Sequence, residues 1–145
     1  MCLNLPREPN KKDPKSWYGY VIQRKIGEQY GGIWHGECGT CELGQEKFYD
    51  PYVLPNIEKM RSCTKDDKGF YGYTKLSDAR DTRSYIFVDV LRDKTVILLA
   101  EFKGLRDIGH PAILSPNLKR ISDRISERSM ISFRAKYRTL LCEVK

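Results

Sequence analysis

The sequence has little of what membrane proteins and most enzyme classes require. Among its 145 residues no apolar run approaches the roughly 18–20 that a membrane span needs. The N-terminal stretch MCLNLPREPNKKDPK holds no apolar segment of the kind an export signal carries. A cytoplasmic protein without a membrane partner is therefore expected. There is no P-loop, no dinucleotide fingerprint and no nucleophile elbow. The glycines of Gly69-Phe70-Tyr71-Gly72-Tyr73 and of Gly27–Gly32 fit none of these patterns. Two histidines and scattered carboxylates make no acid–base pair of recognisable spacing. No repeat or low-complexity segment is present. Nothing here argues for an enzyme, and a binding role is the expectation.

What is there describes an ordinary globular chain. Hydrophobic residues make up 40% and charged residues 31%, and a chain of this length buries a core without disulfides or metal. Its organising feature is Ser84–Gly104. Two apolar, β-branched runs, Tyr85–Leu91 and Thr95–Phe102, flank Arg92-Asp93-Lys94 and predict a central hairpin. Both faces of each run are apolar, so cover on both sides is expected. Each large side chain buried there contributes about 1.5–3 kcal/mol.

Around it the pattern predicts an α+β fold in a single domain, an antiparallel sheet of about five strands with one amphipathic helix near 116–129. Residues 1–16 carry Pro6, Pro9 and Pro14 and read as a flexible N-terminal arm, leaving 17–145 as the domain. Trp17–Ile26 reads as a strand, with a second short one through Gly32–His35. Residues 36–69 are irregular, with a short helix near Asn56–Met60. Gly69–Thr74 reads as a strand, and Ser77 as the cap of a short helical turn. Ser115-Pro116 has the form of a helix start, and Leu118, Ile121 and Ile125 form the apolar stripe of the helix that follows. The last strand, Met130–Val144, sets Ile131, Phe133, Ala135 and Tyr137 against Ser132, Arg134, Lys136 and Arg138. That alternation predicts three cations on an open face, with a bulge or register change before Leu140.

Three constellations carry possible chemistry. His35, Cys38 and Cys41, with Cys63 further on, have the N/S donor types that zinc favours on a glycine-rich turn. Free thiols in a loop are the competing reading. Five cysteines, an odd number, fit either better than a disulfide framework. Cys2, if exposed by removal of Met1, would be an N-terminal nucleophile with its own amine as base, as in an N-terminal-Cys hydrolase. A proline-rich arm is a poor setting for that chemistry. The third constellation is charge. The net charge is +7; residues 1–72 hold 11 Lys/Arg against 10 Asp/Glu, and residues 73–145 hold 15 against 9. Arg120, Arg124 and Arg128 on the helix, with Arg134, Lys136 and Arg138 on the last strand, form a basic C-terminal surface suited to phosphate. Tyr71 and Tyr73, and also Tyr18 and Tyr20, are candidates to stack on bases beside it. A solvated basic face over core tyrosines is the competing reading.

Met1-Cys2 with Gly19-Tyr20-Val21, Gly69-Phe70-Tyr71-Gly72-Tyr73 with Asp78-Ala79, and the strand ending Val96–Gly104 with Arg134-Ala135-Lys136-Tyr137 together resemble a loose set of small proteins from phages and bacterial mobile elements. The resemblance implies a phage-like origin and hence the host cytoplasm. It also implies a non-enzymatic antagonist of host defence, which sequesters a nucleotide signal or blocks a complex that handles nucleic acid. It transfers no residue role. The leading expectation is thus a small protein that binds a phosphate-bearing ligand, nucleotide or nucleic acid, through the basic surface; a homo-oligomer is compatible with it. The alternatives are an inhibitor that engages a host protein complex through the 36–69 loops, and the zinc-stabilised module or hydrolase above.

Overall fold

The computed structural model describes residues 3–32, 40–49, 69–86, 94–111 and 132–145. Among these are eight strands, more than the five expected, and one helix. In chain order they are β1 (Leu3–Arg7), β2 (Ser16–Ile26), β3 (Gln29–Gly31), β4 (Thr40–Cys41), β5 (Glu46–Phe48), β6 (Phe70–Tyr73), α1 (Leu76–Ile86), β7 (Thr95–Pro111) and β8 (Ser132–Val144). All pairings are antiparallel, and an α+β class dominated by sheet describes them. No helix among the described residues is long and apolar enough to cross a membrane.

β7 is the axis of the sheet. It pairs with β2 from Ser16↔Lys103 to Arg24↔Thr95, and with β8 from Ile97↔Val144 to Gly109↔Ser132. β8 pairs in turn with β6, and β6 returns to β2 at Tyr20↔Tyr73, so β2, β7, β8 and β6 close a ring. Register shifts between Leu99 and Ala100 and between Leu105 and Asp107, together with Gly104 at φ +68°, bend the long strands enough to close it.

The ring encloses an aromatic core. Phe133 packs edge-on to Phe102 at 4.6 Å and to Trp17 at 5.1 Å. Such pairs contribute about 0.5–1.5 kcal/mol beyond their buried area. Gly72 and Gly19 make room for the Phe133 ring. A Cβ at Gly72 would lie 2.6 Å from Phe133 Cζ, and one at Gly19 would lie 2.8 Å from the same atom. Val21, Leu98, Ala100, Ala135 and Leu140 complete the interior.

Two sequence expectations change here. The first arm of the 84–104 hairpin does not begin as a strand: Tyr85 and Ile86 end α1, and 87–93 lie outside the described residues. Tertiary packing outweighs the strand propensity of Tyr85-Ile86. Ala79 and Thr82, three apart, are buried on the helix face toward the sheet, and Asp78 lies in the first turn, where the helix dipole favours a carboxylate. Arg83 Nη2 donates to Thr95 O at 2.9 Å and ties the end of α1 to the start of β7. The second arm, Thr95–Phe102, is strand as expected and runs on to Pro111.

Within 1–16, expected to be a flexible arm, Leu3–Arg7 form an edge strand on β7. A proline is tolerated at an edge, and the register shift between Asn4 and Arg7 spans Pro6. Arg7 then closes the following turn by donating to both Asp13 oxygens, at 2.9 and 3.0 Å. The predicted helices at 116–129 and Asn56–Met60 lie outside the described residues, as does Ile33–His35; the short strand near them is Gln29–Gly31.

Candidate binding surface

The pairing registers fix a grid on the outer side of the ring. Residues directly opposite one another share a face, and so do residues two apart along a strand. Four rows follow across β2, β7, β8 and, where it is present, β5. They are Ile22–Ile97–Val144, Tyr20–Leu99–Cys142, Tyr18–Glu101–Thr139–Glu46 and Ser16–Lys103–Tyr137–Phe48. α1 packs against β2, β6 and β7 and covers the first end of the grid, where Ile22 and Ile97 are buried. The other end is open. There Tyr18 is 65% exposed, Phe48 56% and Tyr137 37%. The Phe48 and Tyr137 rings lie side by side, 5.2 Å apart and tilted by 43°.

Lys103 stands among these rings. Its Nζ lies 3.1 Å from Glu46 Oε2 and 3.7 Å from Glu101 Oε1. The hydrogen bond Lys103 donates to Glu46, with the charges of Glu46 and Glu101, raises the Lys103 pKa and keeps it cationic. Beyond the last row, Gly104 N donates to Lys15 O at 3.4 Å, and the Gly104 Cα faces the Lys136 stem. Lys15 and Lys136 are both exposed, one on each side of Gly104.

The basic surface expected from the sequence is arranged differently. Lys136 is exposed, but Arg134 and Arg138 are each only 4% exposed, so the three cations do not share an open face. The period of two breaks at Lys136-Tyr137: Phe133 and Ala135 are buried, and then Arg138 and Leu140. That slip turns Arg138 inward and Tyr137 outward. Arg134 donates through Nε to Asp107 Oδ1 at 2.7 Å and through Nη2 to Asp107 Oδ2, so its charge is neutralised in a forked pair. Arg138 lies over the Phe70 ring at 4.4 Å, and its Nη2 is 4.0 Å from Cys41 Sγ. Arg120, Arg124 and Arg128 lie outside the described residues.

Of the candidate stacking residues, Tyr18 is on the open face and Tyr20 is half-buried. Tyr71 and Tyr73 are 3% and 1% exposed, and a base cannot reach them. Burial raises the Tyr73 pKa, and its hydroxyl engages Thr82 and Tyr71 under α1. Of the candidate zinc ligands, Cys41 is buried beside Arg138, while His35, Cys38 and Cys63 lie outside the described residues, as does Cys2. Among the described residues no three His, Cys, Asp or Glu side chains are placed to hold a metal.

Sequence reasoning missed Phe48, Tyr137 and Lys103. One signal was available: Tyr137 and Leu140 cannot both belong to one inward-facing period of two, so the phase had to change between them. No known protein family, curated protein or solved structure matches the chain.

Proposed function

We propose that this chain is a non-enzymatic binding protein that takes a phosphate-bearing ligand, nucleotide or nucleic acid, on the open outer face of β2, β7, β8 and β5. The observation that carries this reading is the exposed Phe48–Tyr137 pair, with Tyr18 and Lys103 on the same face. Proteins that bind unpaired strands stack successive bases on exposed aromatic side chains of this kind. The net charge of +7 supplies the attraction for an anion. Among the described residues the basic margin is Lys136, with Lys15 joining it; Arg134 and Arg138 are buried, and Arg120, Arg124 and Arg128 lie outside the described residues. Sequestering such a ligand is also how the host-defence antagonist implied by the resemblance would act.

The test is a titration of a fluorescein-labelled single-stranded oligonucleotide at low salt, read by anisotropy. Phe48→Ala and Tyr137→Ala should each weaken binding by about 5- to 100-fold, the worth of one stacked base. Lys136→Glu should weaken it and flatten its salt dependence. Equal affinity in all four proteins overturns the reading.

A second reading has its own observation. Glu46 and Glu101 balance Lys103, so the aromatic centre has a mixed-charge rim, as protein interfaces do. Glu46 and Phe48 belong to the 36–69 stretch expected to engage a host protein. A nuclease-insensitive partner lost on Phe48→Ala would favour this reading.

A further inference from the structure

We infer that the ligand on this face is an unpaired strand, and that the face selects bases that carry an exocyclic amino group. The inference rests on the reading above and adds the ligand's form and its base preference. The form follows from dimensions. Tyr18 on β2 and Phe48 on β5 are separated by three strand spacings, about 14 Å in all. One base can lie on the Phe48–Tyr137 pair but cannot also reach Tyr18. Occupying both platforms takes two bases joined by a backbone. Paired bases do not offer their faces, so the strand must be unpaired there.

The base preference follows from what lies between the platforms. Glu46 and Glu101 present carboxylate oxygens, which only accept hydrogen bonds, and Lys103 presents donors between them. Carboxylates accept from the N4 amino group of cytosine, and the amino groups of adenine and guanine offer the same donor. Thymine and uracil turn a carbonyl oxygen to the same place. Against a carboxylate that contact is repulsive, while Lys103 can donate to the carbonyl, so the face prefers amino-bearing bases without excluding the others.

The same two carboxylates repel phosphate from the centre of the face. The backbone is therefore held at the margin, where Lys15 and Lys136 flank Gly104 beside the Ser16–Lys103–Tyr137–Phe48 row. Lys103 offsets only one of the two carboxylate charges, so the centre stays net negative, and the exposed Lys15 and Lys136 draw the phosphates to the margin.

The experiment compares labelled oligo(dC), oligo(dA) and oligo(dT) of equal length, the dA·dT duplex, and dCMP as a competitor, at neutral pH and low salt. Oligo(dC) and oligo(dA) should bind about tenfold more tightly than oligo(dT). The duplex and dCMP should be weaker than either. Glu46→Gln and Glu101→Gln add a donor at each position and should shrink the preference, with melting temperatures near that of the parent protein showing that the fold is kept. Equal affinity for the three strands, or dCMP binding as tightly as the strand, overturns this inference and leaves the phosphate-ligand reading standing. No binding by any probe overturns both.

Discussion

The Arg138 guanidinium lies 4.4 Å from the centroid of the Phe70 ring, on the inner side of β8, with Cys41 Sγ 4.0 Å from its Nη2. A cation in this position is retained by the ring face and by the packing of its stem. Arg138→Ala should therefore destabilise the fold by about 2 kcal/mol or more. Arg138→Met, which keeps most of the stem, should cost less than Arg138→Ala. Urea unfolding of the two variants checks this, and equal losses would contradict the role given to the stem.

Gly72 sits opposite Phe133 in the β6–β8 register, and its missing Cβ is where the Phe133 ring lies. Gly72→Ala forces contact with both Phe133 and Phe102. It should cost about 1–3 kcal/mol, the usual effect of overpacking. Adding Phe133→Leu should recover part of that loss, which a thermal melt of the double variant would show.

Arg134 and Asp107 form a forked pair, with side chains 4% and 16% exposed. Removing one partner leaves a nearly buried charge, so Asp107→Asn or Arg134→Met should cost about 3–5 kcal/mol. Replacing both together by apolar residues should cost less than either single change. A double-mutant cycle by chemical denaturation measures this coupling.

Two carboxylates contribute to the response to acid. Glu143 is held below its ordinary value of 4.5 by a hydrogen bond from Lys25 and another from Tyr30. Asp13 is held at about 2, against an ordinary 3.8, by Arg7 and then by the Asn10 backbone N–H. Both folded values are lowered. Their stabilisation is therefore complete above the unfolded values of 4.5 and 3.8, and it is lost as pH falls through the folded ones. Stability should fall on acidification below pH 4.5. Glu143→Gln and Asp13→Asn should each flatten that fall, and pH-dependent unfolding curves would show it.

Much of the frame is legible from local signals. Trp17–Ile26, Phe70–Tyr73, Thr95–Phe102 and the last strand all read as strands from their β-branched and aromatic content, and all are strands. What local reading misses depends on partners far along the chain. The Tyr85-Ile86 pair has strand propensity but completes a helix seated on β2 and β6. Pro6 argues against a strand until an edge of β7 is there to hold it. The exposure of two arginines differs from expectation for a related reason. Charge and period of two put Arg134 and Arg138 in the open, whereas Arg134 stays on the outer side but is buried against Asp107 opposite Tyr71, and the phase slip at Lys136-Tyr137 turns Arg138 inward over Phe70. Tyr18 is exposed because strand alternation alone brings it to the open face; Tyr71 and Tyr73 alternate in the same way but are buried.

The central claim is that the open face of β2, β7, β8 and β5 is where this protein binds. The most direct measurement is of the ring resonances of its aromatic residues by NMR during titration with an unpaired oligonucleotide. The account predicts saturable shifts at Phe48, Tyr137 and Tyr18, with Tyr71 and Tyr73 unchanged beneath α1. Saturable binding that leaves Phe48 and Tyr137 unmoved would contradict it.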